Sequence, residues 1–318
     1  MTRWTGNWDD FGMDTISLAG PLEAKLQAIR DAGFTQVMLS ARDLVSHPDG
    51  VAAACRAVRA SGLRVTGFQV LRDFEALTGH LHDYKMDVAK SMLDMCAELE
   101  SRVLLVCSST LSHAASDPAQ IARDLRKLAM LAVPCGIRIA YEALSWGRTI
   151  SELRAAWEVI TRADAPNLGV GIDSFHCLAT KMPLHDLDAI DVRKIFLVQL
   201  GDFLWREVRS SEERIETARH FRVFPGEGVH TAEVADMVRR LVANGYRGDF
   251  SFEVFNDDYV QLRPAFVAAR ARRAAEWLGE EVLQRPVPLP SDVPRKPAQV
   301  SPPASGQASV QPPGDRLP

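Results

Sequence analysis

No run of about 18 apolar residues occurs anywhere in this chain. Its opening, Met1-Thr2-Arg3-Trp4 followed by Asn7-Trp8-Asp9-Asp10, holds no apolar export core. Membrane insertion and secretion are therefore not expected. Cysteine is sparse: Cys55, Cys96, Cys107, Cys135 and Cys177 are odd in number, widely spaced and free of any C-x-x-C pair. That pattern argues against a disulfide framework or a zinc knuckle and for a reducing cytoplasm. Cys107 and Cys177 lie near strand ends, where a small buried hydrophobe is the preferred reading and a nucleophile the alternative. Excess charge of one sign is missing too. With 37 basic against 41 acidic residues and a net charge of −4, nothing in the composition calls for nucleic acid or an anionic membrane as partner. The local group Arg270, Arg272 and Arg273 reads as a solvated helix face.

What is present is alternation. The chain has 318 residues, 47% of them hydrophobic, enough for a sizeable core. Apolar runs at Met13–Leu18, Gln36–Leu39, Arg64–Val70, Arg102–Cys107, Arg138–Leu144, Leu168–Asp173, Lys194–Leu200 and Asp249–Phe255 read as strands. Helix-spaced segments separate them: Leu22 to Gly33, Val51–Ala60, Tyr84–Leu99, Ile121–Val133, 151–162, a short piece near 184–190, 231–244 and 264–282. Eight such βα units predict an α/β chain closed into a (β/α)8 TIM barrel. An open doubly wound sheet is the alternative, but no G-x-G-x-x-G follows the first strand.

Two stretches fall outside the alternation. Gly201 to His230, after the seventh strand, is too long for a plain connection and is expected to form a lid or substrate clamp. Residues 284–318 hold ten of the 18 prolines, so the expected division is a catalytic barrel over 1–283 and a disordered tail over 284–318.

The chemistry is concentrated at four strand ends. Glu142, Asp173, Gln199 and Glu253 each supply one oxygen-bearing side chain near the end of an apolar run. Strand ends at the C-terminal rim of a barrel face one bowl, so these residues converge although 31, 26 and 54 positions separate them in sequence. Three carboxylates and one amide oxygen suit a hard divalent cation, Mg²⁺ or Mn²⁺, with Co²⁺ conceivable and Zn²⁺ less favoured.

The segments Tyr141-Glu142-Ala143-Leu144-Ser145-Trp146-Gly147, Ile172-Asp173-Ser174-Phe175-His176, Phe196-Leu197-Val198-Gln199-Leu200, Arg219-His220-Phe221-Arg222-x-x-Pro225-Gly226-x-Gly228 and Phe252-Glu253-Val254-Phe255-Asn256-Asp257 resemble those of the sugar phosphate isomerase/epimerase superfamily, with its xylose-isomerase-like barrels. Within it the chain is most similar to bacterial metal-dependent 3-dehydroshikimate dehydratases. The resemblance covers about residues 10–282. It implies a divalent metal on Glu142, Asp173, Gln199 and Glu253 and a small-molecule substrate, 3-dehydroshikimate, dehydrated to protocatechuate through an enolate. His176 is then the candidate for proton transfer, with a supporting role beside Asp173 as the alternative. Arg72 matches a position where the dehydratases bind the substrate carboxylate; an ion pair with Asp73 or Glu75 is the plainer reading. Arg219, then His220 and Arg222, are expected to add contacts from the long loop.

The chain departs from the dehydratases in two places. Met38-Leu39-Ser40-Ala41-Arg42-Asp43 stands where an Asn-Asp segment is usual, and Ala218 stands where Ser often precedes the Arg-His pair. An inosose dehydratase or ketose epimerase would use the same barrel and metal. A non-catalytic sugar-acid-binding barrel is the alternative from another class, and a homo-oligomer is open for any of them.

Overall fold

The structure, a computed structural model, describes residues 8–286. Eight parallel strands close on themselves: β1 (Phe11–Asp14), β2 (Gln36–Ser40), β3 (Arg64–Arg72), β4 (Val103–Cys107), β5 (Arg138–Glu142), β6 (Leu168–Asp173), β7 (Ile195–Leu200) and β8 (Phe250–Phe252). Sequential strands are neighbours, and β8 pairs β1 through Phe11↔Phe250 and Met13↔Phe252 to shut the ring. That seam is apolar and aromatic. Phe11 stacks on Phe250 with ring centroids 5.0 Å apart and lies 6.0 Å from Phe252. Truncating one of these buried rings to Ala would cost about 3–5 kcal/mol.

Strand period sets which residues look inward. On β4, Val103, Leu105 and Cys107 pack in one small cluster with Met38, Ala140, Phe196 and Leu197, which fills the barrel. Leu104, Val106, Ile139 and Tyr141, the alternate residues, join the larger cluster under the helices. Glu142 continues the inward phase of Ala140 and comes last on its strand. Gly171 faces the same interior: a Cβ there would stand 3.1 Å from Leu105 Cδ1 and 3.6 Å from Glu142 Cβ.

The helices cover the barrel with one apolar stripe each. They are α1 (Leu22–Asp31), α2 (Ala41–Val45), α3 (Val51–Ser61), α4 (Gly79–Glu98), α5 (Pro118–Ala132), α6 (Leu153–Ala163), α7 (Ser174–Ala179), α8 (Ser211–His220), α9 (Thr231–Ala243) and α10 (Pro264–Trp277). On α6, Leu153, Ala156, Val159, Ile160 and Ala163 are the buried residues, a spacing that keeps them on one face. Asp117 caps α5 by accepting from Ala119 N, with Pro118 in the first turn where its missing N–H costs nothing. Among the described residues no helix is long and apolar enough to cross a membrane.

Several boundaries differ from the sequence reading. The first strand ends at Asp14, because the Asp14 carboxylate accepts from Ile16 N and turns Thr15–Ser17 into a 3-10 helix. The last strand is Phe250–Phe252, so Glu253 lies one residue beyond it. The piece expected near 184–190 is a 3-10 helix over Leu184–Ala189, and the unanticipated α7 directly follows Asp173. The final helix gives way to a π-turn at Leu278–Val282. Of the Pro-rich segment expected over 284–318, all but residues 284–286 lies outside the described residues.

The long connection after β7 has structure of its own. Asp202–Phe203 pairs antiparallel with Arg222–Val223, so the segment leaves and returns as a two-stranded ribbon. Between the ribbon strands runs α8, started by a capping box in which Ser210 Oγ and the Glu213 side chain each satisfy the other's backbone N–H. Asp202 staples the base: its carboxylate accepts from Phe203 N at 2.7 Å, His230 N at 3.0 Å and Thr231 Oγ1 at 3.0 Å. Gly228 is required beside it, since a Cβ there would fall 2.2 Å from Asp202 Oδ1.

Candidate active site

Glu142, Asp173, Gln199 and Glu253 come together at the C-terminal rim, and all four are buried. Their convergence follows from register: Asp173 pairs Gln199 across β6 and β7, and Gln199 pairs Ser251, two residues before Glu253. Ligand-type atoms of Glu142, Asp173 and His176 lie within 4.8 Å of one another. Such crowding is costly for bare carboxylates. Burial, then Asp173 and then Glu253 push the Glu142 carboxyl well up, and burial is also the chief cause that raises Glu253.

Whether these residues fit a cation is tested by their unused valences. Glu142 Oε1 and both amide atoms of Gln199 are buried and meet no hydrogen-bond partner among the described residues. The orphaned oxygens among them, Glu142 Oε1 and Gln199 Oε1, are what a hard divalent ion beside clustered carboxylates would satisfy. The donor set therefore fits a divalent cation held by Glu142, Asp173, Gln199 and Glu253.

Arg222 supplies part of the missing positive charge. It is 2% exposed, and its Nη1 donates to Asp173 Oδ2 at 2.7 Å and to Glu253 Oε2 at 3.0 Å. Its Nε donates to Ala218 O, and the guanidinium lies over the Phe175 ring, 4.6 Å from the centroid. Sequence reasoning ranked Arg219 ahead of it. Arg222 sits on a ribbon strand and meets the rim carboxylates, whereas Arg219, on the last turn of α8, contributes to the wall of the cavity above them.

His176 lies beneath the cavity rather than on its wall. Its Nε2 is 3.6 Å from Asp173 Oδ2, and Trp146 packs edge-on against it with centroids 4.9 Å apart. Ser145 N donates to Nδ1 at 3.1 Å, with Ser145 Oγ also at 3.1 Å. A backbone N–H can only donate, so in the neutral ring the proton resides on Nε2. Burial pushes the imidazole down to about 4, with Asp173 opposing and Arg222 assisting. The near-neutral titration that singled out His176 in sequence is therefore replaced by a ring that stays neutral.

A cavity of about 420 Å³ opens above the cluster, and Glu142, Glu253, Arg72, Arg219, Arg222 and Cys107 contribute to its wall. Arg72 makes no ion pair with Asp73 or Glu75. Asp73 accepts instead from Thr110 N and Oγ1, and Glu75 from Ser109 N at 2.6 Å and Tyr141 Oη at 2.9 Å. The Arg72 guanidinium is left facing the cavity. His220 is not brought there: it ends α8 with Nδ1 3.0 Å from Asp257 Oδ1. The sequence reading gives Asp14 and Gln69 no role, and it treats Cys107 as a buried hydrophobe or a nucleophile, not as a partner of Glu142. Asp14, fully buried on β1, accepts from the Gln69 amide, and burial followed by Glu253 raises its carboxyl well up. Cys107 places Sγ 2.9 Å from Glu142 Oε2. Register, visible only in three dimensions, is what puts each of these beside a rim carboxylate.

Fold and rim together define a class: a closed parallel β/α barrel with a buried carboxylate cluster at the C-terminal ends of its strands. The chain belongs to the xylose isomerase-like TIM barrel family, which it matches over residues 26–281. Among curated relatives, a 3-dehydroshikimate dehydratase of Pseudomonas aeruginosa is 39% identical over 280 residues, covering 86% of this chain and 43% of that protein. The chain thus spans less than half the length of this relative. A 3-dehydroshikimate dehydratase of Neurospora crassa is 25% identical over 312 residues, covering 80% of this chain and 87% of that protein. A solved xylose isomerase-like TIM barrel/4-hydroxyphenylpyruvate dioxygenase fusion protein superposes with a TM-score of 0.80 at 34% identity, covering 86% of this chain and 43% of that one.

Proposed function

We propose that the chain is a divalent-metal-dependent dehydratase that converts 3-dehydroshikimate to protocatechuate. The observation that carries this reading is the lining of one cavity: Glu142, whose Oε1 meets no partner among the described residues, and Glu253, together with Arg72 and Arg219, which make no ion pair among the described residues. A substrate with a carboxylate at one end and a ketone and hydroxyls at the other matches that division. Its size also fits, since small-molecule sites are usually concave cavities of roughly 300–1,000 Å³.

In this reading Glu142, Asp173, Gln199 and Glu253 hold Mg²⁺ or Mn²⁺, with Co²⁺ as a third option. A bound ion would supply Lewis acidity toward the charge that develops when a proton leaves the carbon next to a ketone. Arg72 grips the carboxylate with two parallel N–H bonds, and Arg219 reinforces it from α8. Arg222 keeps Asp173 and Glu253 in place. His176, its ring fixed by Ser145, takes the supporting role beside Asp173. Elimination removes one hydroxyl as water, so the product keeps two ring oxygens and the carboxylate that the cationic wall would hold. We place the enzyme in a reducing cytoplasm, where its five free thiols persist.

Incubating chelator-stripped protein with Mn²⁺ and 3-dehydroshikimate should generate the catechol absorbance of protocatechuate, and chelator should abolish it. A protein that binds Mn²⁺ yet leaves the substrate unchanged would sink the dehydratase reading. Turnover of an inosose or a ketose under the same conditions would transfer the site to the alternative.

A further inference from the structure

Cys107 occupies a position that the proposed reaction does not use. It ends β4, pairs in register with Glu142 on β5, is 4% exposed and reaches the cavity wall. Its Sγ stands 2.9 Å from Glu142 Oε2, the one hydrogen-bond donor that this carboxylate meets among the described residues. On the same carboxylate Oε1 has no partner among the described residues. The two oxygens of Glu142 are therefore inequivalent: one is engaged within the barrel, the other open. A Val at 107 would fill the strand end but would leave both oxygens bare.

We infer that Cys107 is a positioning residue that sets the metal preference of the site, because its S–H occupies Oε2 and leaves Glu142 a single oxygen to offer. A carboxylate limited to one oxygen suits a small, six-coordinate ion such as Mg²⁺ or Mn²⁺. Ca²⁺ takes six to eight oxygens and readily accepts both from one carboxylate. Cys107 thereby disfavours Ca²⁺ without touching the ion. This inference rests on Glu142 being a metal ligand and adds to that reading the means of choosing among ions.

The test is titration calorimetry of Mn²⁺ and Ca²⁺ into the chelator-stripped full chain, with thermal unfolding of each metal-free variant to verify the fold. Cys107→Ala and Cys107→Val both lack a donor, and Val refills the volume should Ala fail to fold; Cys107→Ser retains an O–H. Loss of a partner that orients a ligand typically weakens metal affinity by about 10–100-fold. Ala and Val should therefore bind Mn²⁺ at least about tenfold more weakly while holding or gaining Ca²⁺ affinity, and Ser should follow the parent. An unchanged Mn²⁺/Ca²⁺ ratio in Ala and Val overturns the inference, as does an equal loss in Ser. Glu142→Gln separates the two levels. If it abolishes Mn²⁺ binding while Cys107→Val leaves the ratio unchanged, only the role of Cys107 falls; if it binds Mn²⁺ as the parent does, the ligand reading falls and takes this inference with it.

Discussion

The two halves of the barrel rim differ in what they contribute. Strands β5 to β8 present Glu142, Asp173, Gln199 and Glu253, acidic or amide side chains with buried oxygens. Strands β1 to β4 present Asp14, Gln69, Arg72 and Cys107, of which Asp14, Gln69 and Cys107 hold neighbours and Arg72 faces the cavity. One half gathers charge that needs a cation. The other orients that half and, under the proposed function, supplies a cation for the substrate. Among the described residues it is Arg222, not Arg72, that makes the ion pairs with the rim carboxylates Asp173 and Glu253.

The largest expected effect comes from breaking the acidic half. Glu253→Ala should lower both Mn²⁺ affinity and turnover by more than about 100-fold, beyond the usual loss from an outer partner, as read by metal titration and the catechol assay. Turnover that survived would remove the distinction between halves. Next is Arg222→Met, which leaves Asp173 and Glu253 buried beside each other without their bridge. Removing one member of a buried ion pair costs about 3–5 kcal/mol, so urea unfolding of the metal-free protein should show a loss of that order, partly restored by saturating Mn²⁺.

Arg72→Ala sharpens the contrast from the other side. Hydrogen bonds to charged groups are worth roughly 1.5–3 kcal/mol net, so KM should rise roughly 10–100-fold with Mn²⁺ affinity unchanged. Arg72→Lys should recover only part of this, because an ammonium lacks the planar fork. A fall in metal affinity would show that the halves are not separate.

The last expected effect is on stability alone and concerns Glu75, buried where Ser109 N and Tyr141 Oη donate to it. Burial, opposed by the Ser109 N–H and Tyr141 hydroxyl, pushes its carboxyl from 4.5 up to about 7. The native state then binds a proton more tightly than the unfolded state does. This contribution to stability is full below about pH 4.5 and falls away as pH rises towards 7, a cost of about 3 kcal/mol above it. Denaturant unfolding of Glu75→Gln at pH 5 and pH 8 should lack that decline relative to the parent. Parallel pH profiles would refute it.

Much of the acidic half was legible in the sequence because a strand repeats every two residues. Once Ala140 is inward, Glu142 is too, and an apolar run ending in a carboxylate announces itself. The supporting half was not legible for the same reason that makes it work. Cys107 meets Glu142, and Gln69 meets Asp14, only through the stagger between strands, which leaves no trace along the chain. Arg222 and Arg219 are three residues apart, and only the end of α8 and the start of the ribbon decide which one enters the core. His220 looked equally eligible, but the turn of α8 directs it to Asp257.

The ribbon at the base of the long connection has a practical consequence for engineering. Because Asp202 and the Asp202–Phe203/Arg222–Val223 pairing clamp both ends, and Ala218 O accepts from Arg222 Nε, residues 204–217 form an exchangeable cassette. A foreign segment of different length could be spliced between the clamps to retune what the cavity admits, while Arg222 and the rim beneath it remain as they are.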